Sequence, residues 1–489
     1  MSEPSQPLVP MGEGDKHEVV PPPLPSISRR ARISYVAAAG LFVVVAFVFW
    51  GQHFLDEPEP PAPDHVRYGN VAGQLQLLLQ SKVMVGQAMA LESGVQSELS
   101  PDSGTILETI ANEVETLDGA AARALAALHL FLQPDDIDGA LAQLDSVKEL
   151  EPGEPEIQEM VRQEIISPGT LTQEQLDDLQ YQMHWFANPL LLAREDQTNP
   201  DRQKLLMNVT LLFVFTAVVG MAFLMGFFVG LVLLTMAAVR HSNGIRIFTF
   251  DESQGGSCAH LWGFIAYLGL MGSPILLIVM KIEDPTVAAL ASPLAFLLSL
   301  LAGVGIAIGF SSGSFGQRTR ALGIHSGKGV FREIGSGIVG YCCVLPIAAV
   351  GGLVSLLVWW LSSFFPASEA TETVTGHPIG EMFFDAPVAA RIGLLLLAAV
   401  AAPLIEETMF RGVLHRGLRR SFSMPVAGLI GAVCFAVVHP QDIVALPVLS
   451  ALAFGFMLIR EWRDSLISSM VAHGLHNGTL MLGLWIGTM

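Results

Sequence analysis

The feature that most constrains this chain is a succession of long apolar runs that fills almost all of its C-terminal part. About 20 apolar residues in a helix cross the hydrocarbon core of a bilayer, and most of these runs approach or exceed that length. Because unpaired backbone groups are costly in lipid, continuous apolar runs of this kind are expected to be helical. The runs are residues 205–239, 260–282, 287–311, 334–365, 387–410, 425–439, 443–459 and 465–487.

The composition agrees with a membrane protein. Hydrophobic residues make up 51% of the 489 residues and charged residues only 15%, whereas soluble domains have about 25% charged residues. These fractions exclude a soluble globular, a disordered and a collagen-like chain. The net charge of −19 would repel phosphate groups, so no nucleic-acid partner is expected.

The N-terminal part predicts a tail followed by a first anchor. Residues 1–31 are rich in proline, serine and charge, which predicts a disordered cytoplasmic tail. Three arginines, Arg29, Arg30 and Arg32, precede the apolar run that makes residues 32–51 a transmembrane anchor. Positive charge before a span favours the cytoplasm, so the N-terminus is placed there.

One segment carries the whole net charge of the chain. From residue 51 to 204 there are 27 acidic and 8 basic residues, while the rest has 18 of each. We therefore predict that residues 52–204 form an acidic helical domain outside the cytoplasm, which binds a protein partner or regulates access to the membrane part. Its helical patterns lie around residues 71–91, 106–132, 137–150 and 157–166.

The loops between the apolar runs predict the topology. Loops 240–259, 312–333, 411–424 and 460–464 carry the arginines and lysines, whereas the intervening loops carry only acidic charges. This asymmetry favours nine spans with the C-terminus outside. The predicted fold is an all-α polytopic membrane protein of about nine transmembrane helices, with the helical domain inserted after the first anchor.

We divide the membrane part at residue 385, into membrane helices at 205–384 and a membrane core at 385–489. The run 205–239 is either one long helix or a re-entrant pair, because Gly220, Gly226 and Gly230 weaken its middle.

Ionisable groups inside lipid are costly and therefore mark candidate functional sites. Glu406 and Glu407 follow one apolar run, His439 ends the next, and His473 and Asn477 lie early in the last run. With helices of 1.5 Å rise per residue, Glu406, His439 and Asn477 are expected at nearly one depth, about 20 Å from the cytoplasmic ends. His473 is expected one turn nearer the cytoplasm.

The spacing of these residues predicts which side chains share a helix face. Glu407 and Arg411 are four residues apart and are suited to an ion pair. Glu406 points about 100° away and stays free for chemistry. His473 and Asn477 are also four residues apart and present two hydrogen-bonding groups to one point.

The three motifs EExxxR, FxxxH and HxxxN, in this order on membrane helices, resemble the CAAX protease and bacteriocin-processing (CPBP, or Abi) family of intramembrane endopeptidases. The resemblance covers roughly residues 385–487 in detail. It implies Glu406, His439, His473 and Asn477 as catalytic residues and Glu407, Arg411 and Phe435 as supporting residues.

The resemblance implies a mechanism without a cofactor. Glu406, helped by His439, would activate a water, and His473 with Asn477 would stabilise the oxyanion. A zinc-dependent variant, with Glu406, His439 and His473 as ligands, is the second choice because no HExxH motif is present.

The expected substrate is a membrane-associated protein or peptide, and the expected location is the inner membrane of a bacterium. Two other functions stay open. One is a non-catalytic scaffold or immunity-type binding protein, and the other is a small-molecule transporter with a buried ion-coupling site. His415, His476 and Arg391 are interpreted as interfacial or snorkelling groups.

Overall fold

The structure is a computed structural model, and every regular element among its described residues is helical. This agrees with the predicted all-α class. The structure describes residues 40, 119–146, 154–183, 186–196, 198–250, 258–271, 298, 300–362, 364, 388–439 and 443–488.

Five described helices precede the membrane part and enclose one apolar core. They are α1 (Gly119–Leu132), α2 (Ile137–Leu144), α3 (Glu154–Ile166), α4 (Gln173–Met183) and α5 (Ala187–Leu192). Helix α1 is rich in alanine, and its small buried side chains let the neighbouring helices approach closely. Asp136 caps α2 by accepting a hydrogen bond from the Gly139 backbone N–H.

These helices correspond to three of the four helical patterns found in the acidic segment. The patterns around residues 137–150 and 157–166 are present as α2 and α3, and α1 is the C-terminal half of the pattern around 106–132. The pattern around 71–91 lies outside the described residues, as do the predicted tail and nearly all of the first anchor.

Helix α6 (Pro200–Ser242) runs from this core into the apolar part of the chain without a break. Its 43 residues correspond to about 65 Å of helix. Leu205 and Val209 near its start belong to the core of the first five helices, whereas its later part exposes many large apolar side chains. The run 205–239 is therefore one helix, and the expected domain boundary at residue 204 lies inside it.

The remaining described helices follow in chain order. They are α7 (Cys258–Met271), α8 (Leu300–Gly309), α9 (Phe315–Ala321), α10 (Val330–Ser362), α11 (Val388–Leu418), α12 (Met424–Val437), α13 (Leu446–Arg463) and α14 (Leu466–Thr488). Among the described residues, four helices are long and apolar enough to cross a membrane: α6, α10, α11 and the helix at Ile443–Arg463 that includes α13. The count of about nine spans stays a prediction.

Close packing of α10 against α13 and α14 builds the frame that holds the site. Gly337 of α10 is required for this approach, because a Cβ atom there would lie 2.6 Å from the Ser468 carbonyl oxygen of α14. Helix α6 packs against α10 in the same way, at Gly230 beside Cys342. Small residues at helix contacts are the usual means of bringing membrane helices together.

Candidate active site

Helix α11 is irregular around its two adjacent carboxylates. It is π-helical at Leu397–Ala401 and again at Glu407–Leu414, with a short α-helical turn, Ala402–Glu406, between them. A π-helical turn holds one more residue than an α-helical turn and is frequent at functional sites. The helix type therefore changes between Glu406 and Glu407. Their side chains point in directions that differ from those in a regular α-helix.

Glu407 is completely buried and is held by two basic side chains. Its Oε1 atom lies 2.9 Å from Nη1 of Arg411 and accepts a hydrogen bond of 2.9 Å from Nδ1 of His473. The predicted pairing of Glu407 with Arg411 is present. It joins α11 to α14 through His473.

Arg411 is fixed by a carbonyl and by two aromatic rings. Its Nη2 donates a hydrogen bond of 3.0 Å to the Ala453 carbonyl of α13. Its guanidinium lies 4.7 Å from the centre of the Phe435 ring and 5.5 Å from that of Phe456, close enough for cation–π attraction. The cation therefore neutralises Glu407 and links three helices.

Glu406 is one-fifth exposed and faces two imidazoles. Its Oε2 atom lies 3.9 Å from Nε2 of His439 and 3.7 Å from Nε2 of His473. These separations are longer than a direct hydrogen bond, and Oε2 has no hydrogen-bond partner among the described residues. Both imidazole nitrogens therefore lie close to Glu406 Oε2 without a direct hydrogen bond to it.

The two imidazoles are oriented by their other nitrogens. Nδ1 of His439 donates to the Phe435 carbonyl at 2.6 Å, and Nδ1 of His473 donates to Glu407. Hydrogen bonds at Nδ1 fix both rings so that Nε2 faces Glu406.

Aromatic rings enclose the imidazoles. The Phe435 ring lies 4.4 Å from the ring centre of His439 and 5.9 Å from that of His473. Phe456 of α13 stacks on His473 at 4.9 Å, with 20° between the ring planes. The apolar rings lower the local dielectric and strengthen the electrostatic interactions between the charged groups.

The structure places Asn477 against the other irregular part of α11. Its Nδ2 donates a hydrogen bond of 3.0 Å to the Ala398 carbonyl, in the first π-helical segment. Gly474 allows this approach, since a Cβ atom there would lie 2.5 Å from the Ala399 carbonyl oxygen. One amide hydrogen of Asn477 is thus used between helices, and the second is available to another acceptor.

His439 differs from its predicted place. It lies two residues beyond the end of α12 at Val437, not within the helix. The end of the helix lets the His439 ring turn back to the Phe435 carbonyl. Sequence reasoning also missed Phe456 and the carbonyl of Ala398, because neither belongs to a polar motif.

The described residues contain no group of three or more His, Cys, Asp or Glu side chains arranged to hold a metal ion. The zinc alternative would need Glu406, His439 and His473 to move closer together, since zinc ligands lie about 2.0–2.2 Å from the ion. The donor types are those of a catalytic zinc site, so the alternative is kept for experiment.

Comparison with known proteins identifies the region that holds this site. Residues 388–479 match the family model described as type II CAAX prenyl endopeptidase Rce1-like. Residues 388–479 are a CPBP-family region. The match begins with α11 and includes both carboxylates, His439, His473 and Asn477, as the motifs predicted.

The CPBP-family region covers less than a fifth of the chain. It supports protease activity in a multi-pass membrane protein, together with the apolar helices. No curated protein and no solved structure matches the chain. The helical domain of α1–α5 lies outside the matched region.

Proposed function

We propose that this protein is an intramembrane endopeptidase that hydrolyses peptide bonds of membrane-associated proteins with a water activated by Glu406. The observation that carries this proposal is that the Nε2 atoms of His439 and His473 both lie within 4 Å of Glu406 Oε2, at 3.9 and 3.7 Å. The family match supports the reaction class.

The orientation of His439 supports a water molecule between its Nε2 atom and Glu406. With Nδ1 donating to the Phe435 carbonyl, the proposed neutral ring of His439 would present its Nε2 lone pair toward the Glu406 carboxylate. Two acceptors that face each other need a proton donor between them. A water would donate one hydrogen to Glu406 and the other to His439, which leaves an oxygen lone pair for attack.

In the proposed reaction Glu406 accepts a proton from the water and later donates it to the leaving amine. As the water oxygen bonds to the peptide carbonyl carbon, its proton passes to Glu406. The carbonyl oxygen becomes an oxyanion, which Nε2–H of a protonated His473 and the second amide hydrogen of Asn477 would stabilise. Collapse of the intermediate breaks the C–N bond, and Glu406 returns the proton to the leaving amine.

The charges around the site fit this protonation state. Glu406 and Glu407 supply two negative charges, while Arg411 and a protonated His473 supply two positive charges. A balanced set is needed because an unpaired charge in a low-dielectric site is strongly destabilising. Glu407 lies 2.9 Å from both Arg411 and His473, so its negative charge would stabilise the protonated His473 that this reaction requires.

The remaining assignments follow from the sequence. We place the protein in the inner membrane of a bacterium with its N-terminus in the cytoplasm and residues 52–204 outside as a partner-binding or regulatory domain. Neither a cofactor nor a nucleic-acid partner is proposed. The zinc alternative assigns Glu406, His439 and His473 as ligands, and the bound ion would supply Lewis acidity.

The test is proteolysis by the full-length protein in liposomes, with a library of membrane-protein peptides. Glu406→Gln and His439→Ala are compared with wild type and with Glu174→Gln, a matched change of an exposed carboxylate on α4. We expect Glu406→Gln to lower cleavage about 10²- to 10⁴-fold, with Glu174→Gln unchanged and chelator without effect.

Other results would lead to the alternatives. Loss of cleavage with chelator and its recovery with zinc would assign a metalloprotease. Undiminished cleavage in Glu406→Gln would refute the role of Glu406. A folded wild type that cleaves no peptide and binds a membrane protein would favour the scaffold or immunity-type function.

A further inference from the structure

The segment between α8 and α10 exposes an unusual set of aromatic side chains. Phe310, Phe315 and Phe331 are 80%, 71% and 89% exposed. Large exposed apolar side chains that are grouped in one segment mark an interaction surface, whereas single ones do not.

Buried hydrogen bonds to the Glu333 carboxylate hold the same segment in place. Glu333, fully buried at the start of α10, accepts hydrogen bonds from Arg463 at 2.7 and 2.9 Å and from the Ser468 hydroxyl at 2.7 Å. The backbone N–H of Lys328 donates to the same carboxylate at 2.9 Å. The exposed rings therefore project from a fixed support.

Two further bonds connect this segment to the junction of α13 and α14. The Leu466 N–H donates to the Gly323 carbonyl at 3.1 Å, and the Ser465 hydroxyl donates to the His325 carbonyl at 2.8 Å. The segment thus lies at the end of the bundle where α13 ends and both α10 and α14 begin.

All the Lys, Arg, Asp and Glu residues of this segment are basic ones. Residues 310–332 contain four basic and no acidic residues. Arg318 is used within the fold, where it donates to the Ile308 and Gly313 carbonyls. The other three, Arg320, Lys328 and Arg332, are exposed and can meet an external anion.

The positions of the rings indicate where this surface lies. Phe310 directly follows α8, and Phe331 is in the first turn of α10. Both rings therefore lie at the ends of apolar helices, where a membrane-spanning helix would leave the hydrocarbon layer. Aromatic rings with basic side chains at this level are suited to lipid head groups, and clusters of Lys and Arg there attract anionic lipids.

We propose that the interfacial surface, formed by Phe310, Phe315, Phe331, Arg320, Lys328 and Arg332, is a binding surface for anionic phospholipid. The rings enter the boundary between head groups and acyl chains, and the basic groups bind the phosphates. Phosphatidylglycerol is the probe chosen here, with phosphatidylcholine as the zwitterionic reference.

The test measures lipid bound to the full-length protein in detergent by native mass spectrometry. Lys328→Gln/Arg332→Gln removes two charges of the surface. Lys204→Gln/Arg240→Gln removes two exposed charges from the two ends of α6 and is the matched control. All four side chains are exposed, so both variants are expected to melt like wild type without lipid.

We expect wild type to bind phosphatidylglycerol in preference to phosphatidylcholine. At about fivefold in affinity for each basic group near a lipid surface, the first variant should lose this preference by about 25-fold, and the control should retain it. Phe331→Ser should weaken the binding of both lipids, because it removes apolar contact and no charge.

Three results would overturn the proposal. One is an equal preference in wild type and in Lys328→Gln/Arg332→Gln. Another is the same loss in the control, which would indicate an effect of net charge. The third is complete competition by glycerol 3-phosphate, which would assign a site for a free phosphate ester and no lipid surface.

Discussion

Two buried groups of charged side chains that meet at α11 use nearly the same residue types and are built differently. The first, which our proposal makes the catalytic cluster, consists of Glu406, Glu407, Arg411, His439 and His473. The second, four residues further along the helix, is named here the arginine clasp: His415, Arg416, Arg419, Arg460 and Glu461 around the ring of Phe250.

In the arginine clasp the carboxylate is bonded directly. Glu461 accepts hydrogen bonds of 2.7 Å from both His415 and Arg419. The guanidiniums of Arg416 and Arg460 lie 4.8 and 4.9 Å from the ring centre of Phe250. These direct contacts are suited to stability.

In the catalytic cluster only one of the two carboxylates contacts basic side chains directly. Glu407 accepts a hydrogen bond from His473 and forms an ion pair with Arg411, whereas Glu406 stays 3.7 Å or more from both imidazoles. The comparison teaches that direct bonding of a buried carboxylate indicates a structural role. Glu406, held at a distance from its neighbours, is the carboxylate to which our proposal assigns the chemistry.

The largest effect is expected from removing the bonded carboxylate of either group. Glu407→Gln and Glu461→Gln each leave a buried cation without its anion, which should cost about 3–5 kcal/mol of unfolding free energy. Chemical denaturation in detergent measures this loss. Turnover per folded molecule should fall only in Glu407→Gln, since Glu407 supports His473.

Glu174→Gln is the control for both changes. Equal losses of turnover in Glu407→Gln and Glu461→Gln would break the comparison, because the arginine clasp would then belong to the catalytic machinery.

The next effect concerns Asn477. Asn477→Asp keeps the shape of the side chain and removes both amide hydrogens, so it should lower kcat about 10²-fold as an oxyanion donor is lost. KM should change little, because the donor acts on the transition state. Thr479→Val is the control, since Thr479 lies two residues further along α14 and its hydroxyl donates to the Leu475 carbonyl.

A role of Asn477 in helix packing alone would give a different result. Asn477→Asp would then lower the melting temperature through the lost bond to Ala398, with turnover per folded molecule unchanged.

The sequence predicted the catalytic cluster better than its surroundings. Motif spacing identified Glu406, Glu407, Arg411 and His473, which the structure brings together, because ionisable residues in apolar runs are rare enough to be conspicuous. The π-helical segments were not predicted. Apolar residues fill α11 so completely that no periodicity distinguishes one helix type from another.

The arginine clasp was missed for a different reason. Its members come from three separate parts of the chain, and Phe250 carries no polar signal. His415 was interpreted as an interfacial or snorkelling group, which is wrong: its side chain is 2% exposed and bonded to Glu461. Basic residues near a span end are usually solvated, so only the tertiary structure reveals this contact.

A smaller effect distinguishes the aromatic rings of the two groups. Phe435→Leu and Phe250→Leu each remove a ring beneath guanidinium groups, and each should cost about 1–2 kcal/mol of unfolding free energy. Phe250→Leu should cost more, since three arginines lie over its ring and one over Phe435. Denaturation measures both.

Activity separates these two variants. Phe435→Leu should also lower turnover, because the ring packs on His439 at 4.4 Å, whereas Phe250→Leu should leave turnover per folded molecule unchanged. A larger loss of stability in Phe435→Leu would contradict the ranking of the two rings.

The smallest expected effect is a pH dependence of the stability that His325 contributes, close to Arg460 of the arginine clasp. Burial lowers the pKa of His325, and the positive charges of Arg320 and Arg460 act in the same direction. The fold therefore favours the neutral ring, whose Nδ1 accepts a hydrogen bond from the Gly327 N–H at 3.1 Å. The stabilisation is present above the unfolded pKa of about 6.5 and is lost as the pH falls below it.

Melting temperatures between pH 7.5 and 5 measure this contribution. His325→Asn, which keeps an acceptor and does not titrate, should melt with a shallower dependence on pH than wild type over this range. Turnover at pH 7.5 should be the same in both, since His325 lies in the segment bonded to Ser465 and away from Glu406. An identical pH dependence would show that His325 is not held neutral by the fold.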